Sequence, residues 1–270
     1  MPDEISEYYQ RGLEQERLRN PWGELERVRT LAIIEGHLPA PPATILDVGG
    51  AAGAYAFALA ERGYRVHLVD PVELHLEQAR AREKASGMRL ASITQGDARR
   101  LEFAAGSADA ALLLGPLYHL TEREDRLRAL AEARRVLRPG GVVFAAGISR
   151  FASLMDGLGR GFFADAEFRA IVEGDLRDGR HRNPTQRAEY FTTAYFHRPQ
   201  ELAEELMEAG FAGAKVLGIE GPVWSASGFR AAWEDRAQRE KLLEFLAAVE
   251  NEGSVVGASA HLMGIGSVQD

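Results

Sequence analysis

Three acids stand at the ends of three short apolar runs in the first hundred residues. Asp47 lies near the end of Ile45-Leu46-Asp47-Val48, Asp70 ends the run Val66-His67-Leu68-Val69-Asp70, and Asp97 follows Leu90–Gln95 across Gly96. Between the first two acids comes a turn of small residues, Gly49-Gly50-Ala51-Ala52-Gly53, leading into Ala54-Tyr55-Ala56-Phe57-Ala58-Leu59. A strand, a tight glycine turn and a helix bring backbone N–H groups close to a ligand, and this points to a nucleotide-like molecule in that crevice. The dinucleotide pattern G-x-G-x-x-G needs glycine at 49, 51 and 54, where the chain has Gly49, Ala51 and Ala54, so one position in three agrees. Further on, Tyr118 and His119 follow a fourth apolar run, and Tyr195 and His197 lie in an aromatic stretch, Tyr190–His197. His119 is a candidate general base, or else a histidine that caps or packs under the next helix. Tyr195 and His197 would share one face of a strand, and they line an acceptor pocket or simply belong to the core.

The elements that position these groups alternate. Strands are expected at about 45–48, 64–70, 90–95, 108–114, 142–146, 215–220 and 258–266, with helices at 24–38, 54–62, 71–84, 121–138 and 199–209. Thr121 with Glu124 forms a capping box for the helix at 121–138, which Pro139-Gly140-Gly141 terminates. Residues 1–20 read as a polar-biased helix, set off by Asn20-Pro21-Trp22-Gly23. The regular rhythm breaks from Ser149 to about Arg198, with a helical piece at 163–173. Between 224 and 249 the apolar stripe changes face, from Phe229 and Trp233 to Leu242, Phe245, Leu246 and Val249, which predicts a kink or two helices.

With 270 residues, 46% hydrophobic, the chain can bury one large core, and the alternation favours a single α/β domain. No apolar run is long enough to cross a membrane, and the first residues have no secretory-signal pattern. The absence of cysteine removes disulfides, thiolate metal ligands and cysteine nucleophiles, and fits a cytoplasmic protein; no metal site is assigned. A net charge of −8 disfavours broad binding to nucleic acid. The local basic run Arg177, Arg180, His181, Arg182 and Arg187 reads as a solvated loop, with an anionic acceptor or RNA as the sharper alternative.

Taken in order, these motifs resemble the class I S-adenosylmethionine-dependent methyltransferases, whose turn of type Asp-x-Gly-x-Gly-x-Gly is matched at Asp47, Gly49 and Gly53, with Ala51 in place of the middle glycine. The likeness runs motif by motif from Ala43 to Gly147 and, in element order alone, to the C-terminus. It implies a doubly wound, mostly parallel seven-stranded sheet of order 3-2-1-4-5-7-6 with the last strand antiparallel. It also implies an N-terminal helical lid (1–40), a cofactor-binding core (43–147), a cap insertion (148–198) and a C-terminal part of the sheet (199–270). The cofactor implied is S-adenosylmethionine, with S-adenosylhomocysteine as product. Gly49, Gly50, Ala51 and Gly53 would approach its methionine and ribose parts, Asp70 with Pro71 would take the ribose hydroxyls, and Gly96, Asp97 and Ala98 would hold the adenine. Leu114 and Gly115 would line the rim of strand four, with Tyr9 and Arg17 in the lid. Physical reasoning agrees: a carboxylate at a strand's C-terminal end suits a ribose diol, and Asp70 lies 23 residues after Asp47, the spacing of one βαβ step.

The function expected is methyl transfer by in-line displacement to a small-molecule acceptor, with His119 as candidate base, Tyr118 shaping the pocket, and Tyr195 and His197 on the acceptor side. A monomer or homodimer without nucleic-acid or membrane partners is expected. Two rivals differ in class: a non-catalytic S-adenosylmethionine-binding protein and a nicotinamide-dependent oxidoreductase.

Overall fold

The computed structural model describes residues 20–185 and 187–269. The helix expected at 1–20, with Tyr9 and Arg17, lies outside the described residues. The chain begins with α1 (Pro21–Glu35), capped by the Asn20 side chain, which accepts from the Trp22 and Gly23 amides. The Pro-Trp-Gly segment thus opens the helix and does not break it, as Pro can at a first helical position, where its missing N–H is not needed.

The sheet is built from β1 (Thr44–Val48), β2 (Arg65–Asp70), β3 (Ser92–Gln95), β4 (Ala108–Leu113), β5 (Leu137–Ser149), β6 (Arg180–His181), β7 (Ala194–His197), β8 (Ala212–Gly218) and β9 (His261–Ser267). Its main path is β3-β2-β1-β4-β5-β9-β8, parallel except for β9, which is antiparallel to both β5 and β8. This is the expected seven-stranded order. The count rises to nine because the segment after β5 adds two short strands: β7 pairs parallel with the last residues of β5, and β6 pairs antiparallel with β7.

Alternation along each strand explains why the sheet is buried on both faces. Ile45, Leu68, Ala110, Leu112, Phe144 and Ile265 pack in one core, with side chains of α1, α2 (Ala54–Glu61) and α3 (Glu73–Ser86). Their neighbours Leu46, Val48, Ala111, Leu113, Val143 and Leu262 pack in the other. There they meet α5 (Arg123–Val136), which follows the short α4 (Pro116–His119), and α8 (Pro199–Glu208). Between β5 and α8 lie α6 (Ala152–Arg160) and α7 (Ala166–Asp178). After β8 the chain forms α9 (Phe229–Glu234), α10 (Arg236–Val249) and α11 (Gly253–Val256).

Two local expectations change. The capping box at Thr121 and Glu124 does not form: α5 starts at Arg123 with Glu122 as its cap residue and no side-chain cap bond. The carbonyls of Leu120 and Thr121 instead accept from the buried Arg126 guanidinium. The apolar stripe that changes face resolves as two helices, split at Asp235, whose carboxylate accepts from the Gln238 amide and starts α10.

Candidate active site

A cavity of about 1000 Å³ opens beyond the carboxyl ends of β1, β2 and β4. The turn after β1 forms its floor. Gly49 has φ +71, and a Cβ there would lie 2.8 Å from the Pro116 ring; at Gly50 a Cβ would lie 2.6 Å from Asp47 Oδ2. Only glycine lets the backbone pass this close at both places. The Gly49 and Gly50 amides donate to the Val69 carbonyl, which ties the turn to β2. Ala51 adopts φ 48 and donates its amide to Asp70 Oδ2 at 2.9 Å. Gly53 is the cap residue of α2 and faces Phe57 and Leu68, away from the cavity lining.

Asp70 is buried, and its Oδ1 accepts from the Val72 amide and from His75 Nδ1, both at 2.9 Å. A carboxylate offers about four lone-pair directions. With three donors in place, Asp70 is fixed in orientation and retains acceptor capacity toward the cavity it lines.

Asp47 differs. It is fully buried, and neither carboxylate oxygen has a partner at full hydrogen-bond geometry, the Ala56 amide being the backbone donor that acts on it. Burial, and then the nearby charge of Asp70, push its pKa up to about 7. Buried polar atoms are almost always bonded. An orphaned carboxylate under a glycine turn, beside a preoriented second carboxylate, suits a ligand that brings its own donors.

Asp97 accepts from the amide and guanidinium of Arg99, which holds its carboxyl below the usual range and keeps it ionised. Arg99 also reaches Asp125 on α5 at 2.8 Å, so the loop after β3 and α5 are tied together where both border the cavity.

Of the residues expected from sequence, Gly49, Gly50, Ala51, Asp70, Pro71, Gly96, Asp97, Ala98, Leu114, Gly115, Tyr118 and His119 all border this one cavity. His119 lies at the end of α4, with Nδ1 3.4 Å from the Thr193 carbonyl and its ring against Tyr118 and Phe191. Enclosure in the cavity wall pushes its pKa down to about 4, so it is neutral at pH 7 and a weak proton acceptor.

Tyr195 and His197 correct the expectation for the acceptor side. Neither borders the cavity. The Arg126 guanidinium lies 3.8 Å from the Tyr195 ring centre, and the phenol bonds with Arg150 and Glu201. His197 is fully buried, with Nε2 donating to Glu205 at 3.3 Å, and Glu205 is paired with Arg126 at 2.7 Å. Arg126 and Glu205 bring two charges into the core, and the surrounding polar side chains satisfy them. The cluster joins α5, β7 and α8.

Sequence reasoning missed a second group of cavity residues: Glu26, Arg27 and Thr30 of α1, Ile219 just after β8, and His261 and Met263 of β9. The available signal was the antiparallel last strand. Reversed against its neighbours, it presents its first residue, not its last, at the cleft edge. His261 Nδ1 lies 2.5 Å from Glu220 Oε1 and 3.9 Å from Glu26 Oε2.

Comparison with known proteins agrees with this arrangement. Residues 45–141 match the family described as a methyltransferase domain. The ubiquinone/menaquinone biosynthesis C-methyltransferase UbiE of Paracoccus denitrificans is 39% identical over 123 residues, which is 44% of this chain and 48% of that protein. The malonyl-[acyl-carrier protein] O-methyltransferase of Geobacter sulfurreducens is 32% identical over 194 residues, covering 72% of this chain and 63% of that protein. The chain therefore matches between about half and just under two thirds of the length of these curated relatives. Among solved structures, an S-adenosylmethionine-dependent methyltransferase of Thermotoga maritima, described as a possible histamine N-methyltransferase, superposes with a TM-score of 0.58 at 19% identity. That match covers 97% of this chain and 99% of the other, and is a likeness of fold.

Proposed function

Because the chain belongs to the class I S-adenosylmethionine-dependent methyltransferases, we propose that it transfers a methyl group to a small-molecule acceptor. The observation that carries this reading is one cavity of about 1000 Å³ lined by two unlike sets of residues. The segments after β1, β2 and β3 give the glycine turn, Asp70 and the Gly96–Ala98 loop; those after β4 and β8, with the start of β9, give Tyr118, His119, Ile219 and His261. Small-molecule sites enclose roughly 300–1,000 Å³, so this volume is in keeping with a cofactor plus a compact acceptor.

In this reading Gly49, Gly50 and Ala51 take the methionine part, with the orphaned Asp47 carboxylate beneath them receiving a donor. Asp70 takes ribose hydroxyls, and Gly96, Asp97 and Ala98 border the adenine. Gly53 supports the turn from behind. S-adenosylmethionine, when bound, supplies an electrophilic methyl group. The chain's own part is to align the acceptor with it and exclude water. The segment 148–198 backs His119 through Phe191 and the Thr193 carbonyl without itself bordering the cavity, and α1 supplies part of the wall. The names of the three relatives place the methyl on carbon, oxygen and nitrogen respectively, so family membership leaves the acceptor atom open. We place the protein in the cytoplasm, as a monomer or homodimer; no helix among the described residues is long and apolar enough to cross a membrane.

Calorimetric titration with S-adenosylhomocysteine, on wild type and Asp70→Ala with NADH as control, tests the cofactor site: saturable binding is expected in the wild type alone. Methyl-labelled S-adenosylmethionine with a fractionated cell extract tests the acceptor. Label entering low-mass compounds supports the proposal, and label confined to protein or RNA overturns it.

A further inference from the structure

We propose that His261, oriented by Glu220, is the residue that accepts the proton of the methyl acceptor, and that the acceptor is therefore a protic nucleophile, a hydroxyl or an amine. This rests on the methyl-transfer reading above. Glu220 is held from several sides. Its Oε2 accepts from Ser259 Oγ at 2.8 Å and from the His261 amide at 3.0 Å, while Oε1 faces His261 Nδ1 at 2.5 Å. Ser259 is itself fully buried and accepts from the Glu220 and Gly221 amides. The carboxylate therefore has one orientation, and it fixes the imidazole as the Nδ1-protonated tautomer. Nδ1 being committed to Glu220, proton exchange with an acceptor runs through Nε2.

The position fits the role. His261 pairs with Ile148 at the end of β5, and Met263 pairs with Ala146; His261, Met263 and Ala146 all border the cavity. They lie on the β5–β9 side, across β4 from the turn and from Asp70. The histidine side chain is 27% exposed, so a bound molecule can reach it. Among the described residues two carboxylates face it: Glu220 after β8, and Glu26 of α1, whose Oε2 is 3.9 Å from Nδ1. Arg29, also on α1, is engaged with the Ile219 carbonyl and with Glu250. Both carboxylates lie beside the ring that would carry the positive charge once Nε2 takes a proton. Of the other imidazoles bordering the cavity, His75 commits Nδ1 to Asp70, and His119 Nδ1 lies 3.4 Å from the Thr193 carbonyl.

The step balances as follows. The acceptor's lone pair forms the bond to the methyl carbon, the carbon–sulfur bond breaks with its pair remaining on sulfur, and the acceptor's proton passes to Nε2. The imidazolium so formed is stabilised by Glu220 until the proton leaves to solvent. Glu220 is a positioning residue, since it acts through the ring.

Nitrogen-detected NMR of histidine-labelled protein, with S-adenosylhomocysteine bound, reads the tautomer directly; His261→Gln assigns the signal among the seven histidines. The expected result is an Nδ1-protonated ring, a tautomer preference that is lost in Glu220→Gln. An Nε2-protonated ring, or an Nδ1-protonated ring that Glu220→Gln leaves in place, overturns the proposal. Release of S-adenosylhomocysteine over a panel of alcohols, phenols and amines, measured against pH, gives the second readout. Loss of general-base catalysis costs about 10²–10⁴-fold, so His261→Gln should lower kcat by at least about 100-fold and abolish the acid limb, with S-adenosylhomocysteine affinity within twofold of wild type. Variants that bind and turn over like wild type overturn the inference while leaving the methyl-transfer reading intact. So does turnover that EDTA abolishes and a divalent cation restores, because Glu26, Glu220 and His261 would then be metal ligands. If no compound in the panel is methylated, the NMR result decides.

Discussion

Replacing Asp47 by Asn tests whether this site sacrifices stability to hold a buried charge. The carboxylate has no partner at full hydrogen-bond geometry and titrates near 7, against an ordinary value of 3.8. An acid whose folded pKa is raised keeps its proton in the native chain at pH values where the unfolded chain has released it. Native stability therefore falls as pH rises from about 4 to about 7. At about 1.36 kcal/mol per pH unit, the interval from 3.8 to about 7 sets a ceiling of about 4 kcal/mol on the charge-burial penalty above pH 7. The Asn variant escapes that penalty but leaves an amide unpaired, which costs about 1–3 kcal/mol. The variant should thus be about 1–3 kcal/mol more stable than wild type at pH 8. From pH 5 to pH 8 its advantage over wild type should grow by about 3 kcal/mol. Urea unfolding of both proteins at the two pH values, without ligand, measures this. S-adenosylhomocysteine affinity should move the other way and weaken about 10–100-fold, the worth of a hydrogen bond to a charged group. A stability difference that does not change with pH refutes the charge-burial argument. Unchanged affinity refutes the assignment of Asp47 to the ligand.

Gly50→Ala places a methyl 2.6 Å from Asp47 Oδ2; it should lower stability by about 1–3 kcal/mol and weaken S-adenosylhomocysteine binding at least tenfold, both readable in one thermal-shift titration. Arg126→Met strands Glu205 in the core and should cost about 3–5 kcal/mol, measured by urea midpoint. Burial alone would raise the pKa of Glu205, but its bonds with His197 and Arg126 bring it down to about 2. Its pairing therefore stabilises the fold above about pH 4.5, and this is lost as pH falls toward 2; Glu205→Gln should flatten acid unfolding in that window. His119→Asn should leave S-adenosylhomocysteine affinity within twofold and reduce turnover by less than the about 100-fold expected for loss of a general base, because the imidazole is already a weak proton acceptor.

Local chemistry made the β1–β3 side of the cavity legible in the sequence. A strand, a glycine turn and an acid one βαβ step later are close in the chain, and their spacing survives folding unchanged. The β9 side was harder to read. His261 reaches the cavity because β9 runs backwards, and its partners Glu26 and Glu220 come from 235 and 41 positions earlier in the chain. Nothing in the local sequence marks such a convergence. Tyr195 and His197 share a strand as anticipated, yet the buried Arg126–Glu205 pair claims them. An aromatic and imidazole pattern on a strand is the same whether it faces a ligand or a buried ion pair. The capping box at Thr121 failed for a comparable reason: Arg126, an apparently ordinary helix cation, turned inward and took the carbonyls before the helix.

The long fifth strand carries a consequence for how the molecule moves. Ile148 is paired on one edge with Phe196 of β7 and on the other with His261 of β9. The segment that follows β5 thereby shares the hydrogen-bond ladder of the central sheet, and Arg150 binds it again through the Phe196 carbonyl and Glu201. A flap hinged at that point would have to break backbone pairing and a buried guanidinium contact each time it swung. That segment is thus tied into the scaffold, and a local opening of it would cost part of the sheet's own pairing. Discrimination between acceptors then falls to the side chains that project from a fixed frame, so exchanging Tyr118, Ile219 or Met263 would redraw the pocket without disturbing the machinery beneath it.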